Sequence, residues 1–82
     1  MQKYFELFRS RLSQLMLTRH ITNYRLHKDI GCSKSTIANW LEGKSLPDFE
    51  RIIALADYFD VSTDYLLGRT SRKDKFYDNE PC

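Results

Sequence analysis

The sequence predicts an all-α domain: five helices, compact, with no strand. Three observations carry that reading. Apolar residues recur at steps of three and four, the spacing of one helix face. Two of the four breaks between these stretches, at Gly31 and Gly43, hold a helix-stopping glycine, and hydroxyl or acidic residues stand where the next helices begin. Three glycines and two prolines in 82 residues are too few for the turns of a many-stranded sandwich or barrel.

The first helix is read near residues 2–19. Phe5, Phe8, Leu12, Leu15, Met16 and Arg19 share one stripe, apolar except for Arg19. Arg9, Arg11 and Gln14 lie off it and are expected in water. The second helix runs over about 23–30, with Thr22 as its N-cap and Leu26 and Ile30 on its inner edge. Gly31 follows at once and can take the left-handed conformation that ends a helix. The third runs over about 34–42, from a Ser33 cap to Gly43. Ile37, Trp40 and Leu41 make its apolar edge, while Lys34, Ser35, Ala38 and Asn39 point away.

The fourth helix is expected to start near Pro47–Asp48, because proline fits a first turn and Asp48 and Glu50 suit the positive end of the helix dipole. Phe49, Ile52, Ile53, Leu55, Ala56 and Phe59 spread over a wide arc, so this helix is expected at the centre of the core. The fifth is short, about 63–67, capped by Ser62, with Val61 placed to pack on Leu66 as a hydrophobic staple. Residues 1–68 are thus read as one domain and 69–82 as a polar C-terminal extension, flexible or ordered by a partner.

Composition narrows the function. The chain is 41% apolar, as in ordinary globular domains, and too short for a two-domain enzyme. Its net charge is +2, but residues 1–44 carry +5, residues 45–68 carry −4 and residues 69–82 carry +1. One face of such a molecule suits a polyanion. Cys32 and Cys82 could form one bridge at most, and both are read as reduced thiols of a cytoplasmic protein. No run of about 18 apolar residues suggests a membrane span. The first residues lack the uninterrupted apolar core of a secretory signal. His20 and His27 have no ligand cluster beside them, so no metal is expected. Ser33, Ser35 and His27 lack an orienting third group and an oxyanion cradle, so no catalytic site is expected. No motif calls for a cofactor or a small-molecule ligand.

Residues 21–48 are the informative stretch. Two short helices are joined by Gly31, Cys32 and Ser33, and Leu26, Ile30, Ile37 and Trp40 can meet in one small core. That is the pattern of a helix-turn-helix, whose second helix enters the major groove of DNA. The outer side of that helix offers Lys34, Ser35 and Asn39 and no acid. The helix N-termini at Thr22–Asn23 and Ser33–Lys34 offer free N–H groups to phosphates.

With Thr22, Leu26, Gly31, Ser33, Ile37, Trp40, Gly43-Lys44, Leu46-Pro47-Asp48, Leu55-Ala56, Phe59, Val61-Ser62 and Tyr65-Leu66-Leu67-Gly68 at matched spacing, the chain resembles the Cro/phage-repressor (XRE-like) helix-turn-helix family over about residues 5–70. The resemblance implies a five-helix DNA-binding domain, often dimeric, that represses or regulates transcription on a partly palindromic operator. It implies base contacts from Lys34, Ser35 and Asn39: Lys34 to guanine, Asn39 to adenine by preference, Ser35 weakly or through water. It implies phosphate contacts from Asn23, Thr36 and Lys44, beside those expected at the Thr22 and Ser33 caps. Arg25 and Lys28 are left open. If the chain is a homodimer, the fifth helix and adjoining residues are expected to form the contact.

Two departures from the family pattern stand out. His27 occupies a place where the family mostly has a small residue, so the imidazole must widen the helix contact or tilt out of it. A structural histidine, a phosphate contact and a pH-sensitive docking group all remain open there. Met16 and Leu41 stand where many members pair an arginine with a glutamate, which replaces an ion pair with an apolar contact. Trp40 is expected in the core, and Tyr24 either at the plain surface or on a phosphate. Tyr58, Phe59 and Tyr65 are divided between core and a dimer contact. The rival function is an interaction protein, an antitoxin or anti-regulator, that binds protein through the same fold and a tail bearing Phe76 and Tyr77.

Overall fold

A helix survives only if its free end groups are satisfied and one face is buried. The computed structural model describes residues 2–73, which form five helices: α1 (Gln2–Arg19), α2 (Asn23–Ile30), α3 (Lys34–Glu42), α4 (Phe49–Phe59) and α5 (Thr63–Leu67). No strand occurs among the described residues. Thr22, Ser33, Asp48 and Ser62 each accept, on a side-chain oxygen, from a backbone N–H of the helix they open. The fourth helix differs from expectation at its start. Asp48 is the cap, accepting from Arg51 N–H at 2.9 Å, and Pro47 lies before the helix rather than in its first turn.

The core gathers Phe8, Leu12, Leu15 and Met16 of α1 with Leu26, Ile37, Trp40, Leu55, Ala56, Phe59, Val61, Tyr65 and Leu66. α1 is the central helix, packed against both α3 and α5. The expectation that α4 would be central is corrected. Its apolar residues cover more arc than its neighbours do, so Leu55, Ala56 and Phe59 are buried while Phe49 stays 73% and Ile53 47% exposed. The Val61–Leu66 staple lies inside the same core.

Two arginines of α1 bond to backbone carbonyls, and the first differs from its expected surroundings. Arg11, expected in water, donates to the carbonyls of Tyr65 at 2.6 Å and Thr70 at 2.9 Å, and lies 4.1 Å from the centre of the Tyr65 ring. Arg19 donates to the Phe59 carbonyl at 2.7 Å. That carbonyl ends α4, where a cation is favoured by the helix dipole.

Beyond Gly68 the chain turns back onto the domain. Arg69 N–H donates to Asp64 O at 2.8 Å and Ser62 N–H to Lys73 O at 2.9 Å. The buried Ser62 hydroxyl accepts from Tyr65 N–H and donates to Arg72 O at 3.3 Å. Residues 69–73 are therefore tied to α1 and α5. Phe76, Tyr77 and Cys82 lie outside the described residues. Gly68 makes the turn at φ 85°, with Leu7 so close that a Cβ would sit 2.5 Å from the Leu7 Cβ.

Candidate nucleic-acid interface

The interface is built on the α2–turn–α3 unit. Gly31 adopts φ 87° and its N–H donates to the His27 carbonyl at 2.9 Å; Cys32 N–H donates to the same carbonyl at 3.2 Å. The His27 ring then reaches forward, and its Nδ1–H donates to the Cys32 carbonyl at 2.9 Å. The imidazole therefore tilts into the turn, half-buried, rather than wedging α2 from α3. Because a carbonyl only accepts, the bond fixes the proton on Nδ1. Leu26, Ile37 and Trp40 close the unit from inside, with Trp40 only 2% exposed.

The outward groups fall as the periodicity requires. Ser35 and Asn39, four residues apart, share the exposed side of α3 opposite Ile37 and Trp40. Lys34, in the first turn, is exposed beside them, with its Nζ 5.7 Å from the centre of the Tyr24 ring. Among the described residues no ion pair engages Lys34, and no acidic side chain stands between it and Asn39.

The expected phosphate contacts have more varied surroundings. Thr22 is exposed and its hydroxyl accepts from Arg25 N–H at 3.1 Å, so its own proton is left to donate outward. Ser33 accepts from Thr36 N–H at 3.1 Å, and the Ser33 and Thr36 hydroxyls are 2.8 Å apart. One of the two must donate to the other, so the pair offers one hydroxyl proton to a phosphate, not two. Asn23 is half-buried, with its Oδ1 buried and without a hydrogen-bond partner. Its NH2 group is the part that can donate to a phosphate. Lys44 pairs with Glu42 at 3.1 Å on the open surface, a pair that a phosphate can displace at little cost.

Arg25 pairs with Asp29 at 2.8 Å, and Tyr58 of α4 donates its hydroxyl to the same Asp29 oxygen at 2.6 Å. The Tyr58 hydroxyl first, and then Arg25, hold the Asp29 carboxyl below its ordinary range. The phenol in turn is pushed up by the carboxylate it bonds. This link between α2 and α4 joins residues 29 positions apart, and no local pattern in the sequence announces it. Tyr24 was left open by sequence reasoning. It is exposed, edge-on to His27 at 5.3 Å, and neighbours Lys28 as well as Lys34.

Leu41 packs, half-buried, against the core that contains Met16. Both line a surface cavity of about 440 Å³ with Ser13, Leu17, His20, Ile21 and Thr22. No carboxylate or guanidinium is among these residues.

The comparisons agree with this geometry. A family model described as Helix-turn-helix matches residues 12–66. The chain is 32% identical over 68 residues to the HTH-type transcriptional regulator YobD of Bacillus subtilis (strain 168), covering 83% of this chain and 61% of that protein. It is 30% identical over 61 residues to the HTH-type transcriptional activator BcrR of Enterococcus faecalis, covering 74% of this chain and 30% of that one. It is 43% identical over 44 residues to the HTH-type transcriptional regulator AnsR of Bacillus subtilis (strain 168), covering 54% and 38%. The chain spans about three fifths or less of the length of these relatives. No solved structure matches it significantly. With all five helices in place and the turn at Gly31, the chain belongs to the helix-turn-helix family, in the Cro/phage-repressor (XRE-like) group that its sequence resembles.

Proposed function

We propose that this chain is a sequence-specific DNA-binding transcriptional regulator, a repressor that occupies a partly palindromic operator with α3 in the major groove. The observation that carries this reading is the two-sided character of α3. Ile37 and Trp40 are sealed in the core, while Lys34, Ser35 and Asn39 are exposed on an acid-free side. Lys34 donates to guanine, Asn39 reads adenine and Ser35 adds a weak contact. Thr22, Asn23, Ser33, Thr36 and Lys44 fix the register on phosphates. Repression is steric and needs no chemical step and no cofactor. The relatives' names, one of them an activator, support regulation of transcription in this family.

A homodimer through α5 and adjoining residues would set two α3 helices about 34 Å apart, one turn of DNA. Tyr65 and Leu66 belong to the chain's own core, so Leu67 and flanking residues would make that contact. One observation favours the second reading, an interaction protein: Leu46, Phe49 and Ile53 are exposed together around the start of α4. Selection of bound sites from random duplex DNA tests the first reading. It expects a recovered motif with two half-sites about one turn apart. Recovery of no motif, with no binding to any duplex in dilute salt, would overturn it.

A further inference from the structure

Tyr24 lies on the first turn of α2, more than half exposed, yet it is held from several sides. His27 packs edge-on against its ring at 5.3 Å and 66°, and His27 is itself tied to the Cys32 carbonyl. Two ammonium groups then meet the same ring. Lys28 Nζ lies 5.3 Å from the ring centre and 3.5 Å from the Tyr24 hydroxyl. Lys34 Nζ, from the other helix of the unit, lies 5.7 Å from it. An aromatic face attracts a cation, but two like charges beside one ring repel each other. Asp29, the acid on the same helix, is engaged by Arg25 and Tyr58 instead. Among the described residues neither lysine has a carboxylate within ion-pair distance, although the Lys28 charge is felt by Asp29. Two ammonium groups, one from each helix of the unit, thus share one ring at the edge of the surface expected to meet DNA.

We propose that Tyr24 is a positioning residue of the DNA-reading surface, holding Lys28 and Lys34 side by side as one seat for a backbone phosphate at the edge of the groove. The proposal rests on the functional reading above and deepens it. Lys28 becomes a phosphate contact, and Lys34 is held at the point where it can touch both that phosphate and a base edge. The Tyr24 hydroxyl is a third donor to the same anion.

The test uses the duplex recovered by selection with the wild-type chain, and reads affinity over a range of potassium chloride concentrations. Lys28→Ala should lower the slope of log affinity against log salt by roughly one, as for one lost phosphate contact. Tyr24→Ala should weaken binding about two- to fivefold, as expected for an exposed cation–ring contact. The loss caused by Lys34→Ala should be smaller in the Tyr24→Ala background than in the wild type, and Tyr24→Phe should keep that coupling. All three side chains are exposed, so thermal melting should be unchanged and the losses report on contact. An unchanged salt slope in Lys28→Ala, or strictly additive losses from Tyr24→Ala and Lys34→Ala, would overturn the seat while leaving wild-type binding intact. A wild-type chain that binds no duplex would overturn the functional reading, and the seat with it.

Discussion

His27 and Cys32 close the helix-turn-helix upon itself: the histidine carbonyl accepts from the Cys32 N–H, while the histidine ring donates to the Cys32 carbonyl at 2.9 Å. One residue of α2 thus holds both backbone polar groups of Cys32, in the two successive peptide units of the turn. His27→Ala should remove the ring bond and destabilise the fold by about 1 kcal/mol. In a domain of this size that is a fall of roughly 4–8 °C in melting temperature. An unchanged melting curve would show that the ring bond contributes nothing.

Asp29 gives the fold a defined acid sensitivity. Its carboxyl is held below the ordinary aspartate range by the Tyr58 hydroxyl and Arg25. A carboxyl depressed in the folded state contributes stability that is fully present above its unfolded pKa. That stability is lost as pH falls through the folded value. Tyr58→Phe should therefore lower the melting temperature at neutral pH, and the gap from wild type should shrink as the solution is acidified below about 4. A gap that stays constant into strong acid would exclude the Tyr58–Asp29 bond as its source.

Leu41 tests the apolar replacement of the expected ion pair. Leu41→Glu replaces a half-buried apolar side chain beside Met16, Leu17 and Ile21 with a carboxylate. The cost should be about 1–3 kcal/mol, read by chemical or thermal unfolding. Adding Met16→Arg should return part of that loss. Equal stability of Leu41→Glu and wild type would contradict the packing described for α1 and α3.

Two of the three helix-ending glycines, Gly31 and Gly68, separate a conformational cost from a steric one. Alanine at Gly31 meets nothing within 4 Å, so only the left-handed backbone opposes it, about 1–2 kcal/mol. Alanine at Gly68 bears the same backbone cost and also strikes Leu7, which adds about 1–3 kcal/mol of overpacking. Gly68→Ala should melt well below Gly31→Ala; the reverse order would disprove the close approach of α1 to the end of α5.

Lys34 and Lys44 should separate reading from holding. Lys34→Ala should cost about 1–3 kcal/mol of DNA affinity and relax preference at one base position. Lys44→Ala should weaken binding almost equally on every sequence, since a phosphate contact carries no base information. Binding to a panel of single-base operator variants distinguishes them. Retention of full base preference by Lys34→Ala would remove that residue from the readout.

Much of this architecture was legible because its signals are local. Thr22, Ser33 and Ser62 cap the helices they were expected to cap, and Ile37 and Trp40 face inward as their spacing requires. What was not legible depends on contacts distant in sequence. Phe49 and Ile53 look like core in a helical wheel, yet both stay exposed. Arg11 looks like a water-facing residue until α5 and Thr70 bring carbonyls to it. The Asp29–Tyr58 bond and the approach of Lys34 to Tyr24 arise only when α2 meets α4 and α3. The side of α3 that would face DNA could be read from periodicity, but not that Ser33 and Thr36 share one proton between them.

The return of residues 69–73 also decides where this polypeptide can be cut or joined to another. Severing it after Gly68 would strand the Ser62 amide without its Lys73 acceptor and take the Thr70 carbonyl from Arg11. Any fusion or shortened version should therefore retain everything through Lys73, since the last turn of backbone that looks dispensable is the clasp on the fifth helix.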